Sequence, residues 1–160
     1  MKVIFLDIDG VLNVYGEGRD EYGPGFHKHL VDNLKSIIDQ TDAKIVISSS
    51  WRLSGLIAME ETWKYRNLPG EIIDITPNLT YGEGLKSNTP RGEEIKQWLD
   101  YHPEVTNYVI LDDDIDMLPE QLSNFVQTSD NKSHPDCVDI GYGLTKICSD
   151  KAIEILNFLK

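Results

Sequence analysis

The chain has 160 residues, 40% hydrophobic and 26% charged, with a formal net charge of −12, which fits a soluble globular protein with one real core. No apolar run approaches the roughly 20 residues of a membrane span, and Asp7 cuts the apolar opening too early for a secretory signal, so a cytoplasmic protein is expected. The acidic balance disfavours nonspecific binding to nucleic acid or anionic membrane and suits a site that holds a cation; Cys137 and Cys148 lack ligand spacing and read as ordinary reduced cysteines.

Taken in chain order, strands and helices alternate. Residues 2–6 read as a buried strand. Residues 27–40 carry Leu30, Val31, Leu34, Ile37 and Ile38 on one helical face. Residues 43–47 form a second apolar strand, residues 53–65 a helix, and residues 71–75 a short strand. Residues 90–101 read as a helix with Thr89 as N-cap, Pro90 at the first position, and Glu93 and Glu94 in the first turn. Strands follow at 108–111 and 124–128, and a helix over 145–159 closes the chain with Ile153, Leu156 and Leu159 inward. This alternation predicts a three-layer α/β, Rossmann-like fold: a mostly parallel sheet with helices on both faces, in one domain over 1–160. Two polar stretches, 13–25 and 129–143, read as loops.

Three of these strands end in polar clusters: Asp7-Ile8-Asp9, Ser48-Ser49-Ser50 and Asp112-Asp113-Asp114. In an open parallel sheet all strand C-termini share one edge, and ligands bind there. Carboxylates gathered at one point repel unless a cation sits among them. A hard cation such as Mg²⁺ takes oxygen ligands and shares them with a phosphate. The acids therefore point to a metal and a phosphoryl group.

The segments Asp7-Ile8-Asp9-Gly10-Val11, Ile45-Val46-Ile47-Ser48, Arg91 near a helix start and Ile110-Leu111-Asp112-Asp113 resemble the four motifs of the haloacid dehalogenase (HAD) superfamily, in order and across nearly the whole chain. More narrowly, the stretches SSSWR, RGEEIKQWL and LDDD resemble the HAD domains of Swiss-army-knife RNA repair proteins. The resemblance implies a Mg²⁺-dependent phosphohydrolase acting through an aspartyl-phosphate. The closer one implies nucleotides or nucleic-acid ends as substrates. By resemblance Asp7 is the nucleophile. Asp9 is general acid and then base, its backbone carbonyl also on the metal. Gly10 lets the chain turn beside the phosphate. Ser48 binds the phosphoryl oxygens, with Ser49 as the alternative in an uncertain register. Arg91 faces the phosphoryl charge, with Lys86 as rival. Asp113 holds the metal with Asp112 assisting.

Plainer readings stand beside these. Asp-Gly is a common turn signal, serines cap helices, and charged side chains usually sit in water. Asp114 and Asp116 read as supporting acids or helix-start acids. His27, His29, His102 and His134 read as surface residues. Trp51, Trp63 and Trp98 read as core rather than base-stacking residues. The superfamily often carries a cap domain, but the gaps here leave room only for a short flap at about 13–25, rich in Gly16, Gly18, Gly23 and Gly25, or else a plain hairpin. An open site suits large substrates such as nucleic-acid ends. Two other functions fit the same residues: a small-molecule phosphatase or phosphotransferase, and a catalytically silent phosphate- or metal-binding module.

Overall fold

The computed structural model describes residues 1–14, 18–79, 89–129 and 142–158. In chain order the strands are β1 (Lys2–Leu6), β2 (Arg19–Asp20), β3 (Gly23–Pro24), β4 (Lys44–Ile47), β5 (Ile72–Ile75), β6 (Asn107–Asp112) and β7 (Phe125–Gln127). The helices are α1 (Lys28–Thr41), α2 (Leu56–Tyr65), α3 (Arg91–Asp100) and α4 (Lys146–Asn157), with 3₁₀ turns at Ser50–Ser54 and Pro119–Asn124. Five strands make one parallel sheet in the order β5-β4-β1-β6-β7. β2 and β3 form a separate antiparallel hairpin.

β1 is apolar throughout because both of its faces are covered. Ile4 and Leu6 pack with Leu30 and Leu34 of α1, Met59 and Trp63 of α2, and Leu156 of α4. Val3 and Phe5 point the other way, to Ile95 and Trp98 of α3. Phe5 meets Trp98 edge-on at 5.4 Å, and burying such a ring contributes about 1.5–3 kcal/mol. The α/β, Rossmann-like expectation therefore holds. The β1-to-β4 and β5-to-β6 connections run over opposite faces. The crevice where they part lies at the C-terminal ends of β1 and β6, the usual ligand position in such sheets.

Several local expectations change. The helix expected over 53–65 is two pieces, a 3₁₀ turn and α2, because Gly55 takes φ 90° between them. Thr89 does not cap α3; its hydroxyl donates to the Leu79 carbonyl, and Pro90 holds the cap position, with the helix starting at Arg91. His27 and His102 are half-buried rather than on the surface: His27 Nε2 meets the Val14 carbonyl at 2.8 Å, and the His102 ring stacks on Trp98 at 3.6 Å. The flap region holds the β2–β3 hairpin. Gly16, Lys86, His134, Cys137, Leu159 and most of the 129–143 stretch lie outside the described residues. Among the described residues, no helix is long and apolar enough to cross a membrane.

Candidate active site

The sheet register brings the acids together. Leu6 pairs with Leu111 and the Asp7 N–H donates to the Leu111 carbonyl at 2.9 Å, so Asp7 and Asp112 end adjacent strands side by side. Asp7, Asp112 and Asp113 each offer a carboxylate oxygen, and these atoms lie within 4.8 Å of one another. Asp7 is 6% exposed and Asp112 fully buried. Burial raises the carboxyl of Asp7 above its ordinary range, opposed by the charge of Arg91 and by the Ser49 hydroxyl and Ile8 N–H. Burial and the neighbouring Asp7 charge push Asp112 further up, again against Arg91. Asp112 Oδ2 accepts no hydrogen bond; the Arg91 Nε lies 3.7 Å away.

Gly10 makes this approach possible. After Ile8 the backbone closes a tight turn, Leu12 N–H to the Ile8 carbonyl at 2.9 Å and Gly10 N–H to the Asn13 carbonyl at 2.8 Å. Gly10 sits at φ 78°, and a Cβ there would stand 2.3 Å from the Asp113 carboxyl carbon. Its carbonyl accepts from Thr128 Oγ1 at 2.8 Å, which ties the turn to the end of β7.

Asp9 stands apart from the carboxylate cluster. Its two oxygens accept from Asn13 Nδ2 at 2.7 Å and Trp51 Nε1 at 2.9 Å. The core role read for Trp51 is thus incomplete: it leans on the core yet holds the acid, whereas Trp63 and Trp98 are core residues.

The serines take different parts. Ser48 Oγ is buried with no hydrogen-bond partner. Ser49 caps the 3₁₀ turn, accepting from Trp51 N–H, and touches Asp7. Arg52 fixes this loop. Its Nη1 donates to the carbonyls of Ser48 and Ser49 at 3.2 and 2.8 Å, and its Nη2 to Glu94 Oε2 of α3 at 2.5 Å. Sequence reasoning missed the Arg52–Glu94 pair, because nothing local marks two charges as destined for burial.

Arg91 is mostly buried beside the acids. Burial works against its charge, but Asp112 and Asp7 outweigh that and hold its pKa up. Its Nη1 has no partner. Asp116 supports the start of α3 rather than a segment of its own: its carboxylate accepts from the Arg91 N–H at 2.8 Å. Asp114 is exposed, its N–H donating to Asp112 Oδ1 at 3.0 Å.

The sequence model of one protein family, described as HAD domain in Swiss Army Knife RNA repair proteins, matches residues 3–133. No curated protein and no solved structure matches the chain.

Proposed function

Since the chain belongs to the family of HAD domains in Swiss Army Knife RNA repair proteins, we propose that it is a Mg²⁺-dependent phosphohydrolase that releases orthophosphate from nucleotides or nucleic-acid ends. The observation that carries this is the meeting of three carboxylates, one with a buried oxygen that accepts no hydrogen bond, beside an arginine whose Nη1 has no hydrogen-bond partner. The donor set fits Mg²⁺, since all three side chains offer hard oxygens that converge within 4.8 Å of one another. Asp7, Asp112 and Asp113 would hold it, with the backbone carbonyl of Asp9. Bound there, the ion neutralises the acids and withdraws charge from the phosphoryl oxygens.

Asp7 attacks phosphorus with one carboxylate oxygen. The bond to the leaving oxygen breaks, and that oxygen takes a proton from Asp9. The carboxylate of Asp9 then removes a proton from water, whose oxygen attacks phosphorus; the acyl phosphate bond breaks and orthophosphate leaves. Arg91 Nη1 and Ser48 Oγ donate to the equatorial oxygens, where transition-state charge accumulates. Ser49 holds Asp7, and Trp51 with Asn13 holds Asp9. Such donors act in the transition state because they are already in place.

Phosphate release from an aryl phosphate with Mg²⁺ tests the proposal. EDTA and Asp7→Asn should each abolish it. Turnover that survives Asp7→Asn would remove the covalent step.

A further inference from the structure

We propose that the cleft beside Asp9 is a nucleoside pocket that receives the leaving group and admits one uncharged nucleoside rather than a polyanionic strand. This rests on the reading that Asp9 protonates the leaving oxygen. That oxygen must lie within hydrogen-bond reach of the Asp9 carboxyl. The remainder of the leaving group therefore continues into whatever space Asp9 borders. That space is a cleft of about 430 Å³ between the β2–β3 hairpin and α2, walled by Tyr22, Pro24, Trp51 and Met59 with Glu21 at its side. The volume falls within the usual range for small-molecule sites.

The walls select the chemistry. Trp51 and Tyr22 present rings, and every nucleobase has a face that stacks on rings. Among the described residues, the charged ones lining the cleft are Asp9 and Glu21, both acids. Neither Arg19, on the hairpin itself, nor Arg66, in a bidentate pair with Asp20 at 2.9 and 2.7 Å, lines the cleft. A second phosphate entering here meets like charge, while a ribose hydroxyl or an exocyclic amino group finds an acceptor in Glu21. The wall is also braced before ligand arrives. Tyr22 packs on Tyr65 at 4.8 Å, a Cβ on Gly23 would come within 3.2 Å of the Trp51 ring, and Arg66 lies 4.4 Å over Phe26. Such preorganisation lowers the ordering cost of binding.

The test compares kcat/KM of the full chain with Mg²⁺ for nucleoside monophosphates, glycerol phosphate, an oligonucleotide with the same terminal phosphate, and a phosphotyrosine peptide. Nucleoside monophosphates should exceed each of the others by about tenfold or more, the factor that one stacked base supplies. The same nucleoside without phosphate should compete. Tyr22→Ala should raise KM for the monophosphate by a similar factor, Tyr22→Phe should restore it, and Glu21→Lys should narrow the gap between oligonucleotide and mononucleotide. Equal rates for glycerol phosphate, no competition by the nucleoside, or preference for the oligonucleotide or the peptide would overturn the pocket. If no ester is hydrolysed, the phosphohydrolase reading fails, and calorimetry with unphosphorylated nucleosides still decides the pocket: binding weakened by Tyr22→Ala upholds it, and no binding ends it.

Discussion

A side chain at position 10 would meet two obstacles at once, a left-handed φ of 78° and the Asp113 carboxyl. Gly10→Ala should cost about 1–3 kcal/mol in chemical denaturation and weaken Mg²⁺ binding in calorimetry by displacing Asp113. The paired acids have the opposite character, since they destabilise the protein without metal. Asp7 and Asp112 both bind protons more tightly when folded than at their ordinary 3.8. Stability from these groups is therefore complete below that value and is lost as pH rises through their raised values. Metal-free protein should melt higher at mildly acidic pH than at neutral pH, and Mg²⁺ should reverse that order because the ion needs the ionised forms. Asp112→Asn should raise the metal-free midpoint, flatten its pH dependence and abolish phosphate release. At this scale, acids at the ends of apolar strands were legible, because the C-terminal ends of parallel strands share one edge of the sheet. The tie from Trp51 to Asp9 was not, since a tryptophan beside serines carries no mark of what its ring N–H will reach.

Two elements are held at the site by contacts made far along the chain. The 3₁₀ turn of Ser50–Ser54 depends on Arg52, whose guanidinium joins the serine carbonyls to Glu94 of α3, with the two side chains 7% and 3% exposed. Removing one partner strands the other charge, so Glu94→Ala should cost about 3–5 kcal/mol. The double variant Arg52→Met/Glu94→Leu should recover most of that stability in denaturant melts yet stay slow, because the serine loop has lost its anchor. The start of α3 depends on Asp116, so Asp116→Ala should cost about 1 kcal/mol, and Asp116→Asn should restore most of it. Each strand and helix of the site was visible in the hydrophobic pattern, whereas their ends were displaced. Thr89 obeyed the local capping rule on paper but turned to Leu79, and the carboxylate of Asp116, 25 residues beyond Arg91, took over. Capping from a distance leaves no local signature.

The molecule as a whole is two apolar layers on one sheet, and that much follows from strands without polar alternation. α3 covers one face, and α1, α2 and α4 the other, which places the crevice where Asp7 and Asp112 meet. Binding at that crevice should stabilise the whole fold by mass action, about 2.7 kcal/mol at a Mg²⁺ concentration 100 times Kd, or a midpoint rise of about 5–10 °C. A melting curve indifferent to Mg²⁺ would remove the metal site. The structure also supplies its own optical reporter. Trp63 and Trp98 are 5% and 4% exposed, whereas Trp51 is half-buried with its indole on Asp9. Red-edge excitation should therefore select Trp51 emission, and a stopped-flow trace should follow the carboxylate through a single turnover without any attached dye, a signal that Trp51→Phe must extinguish.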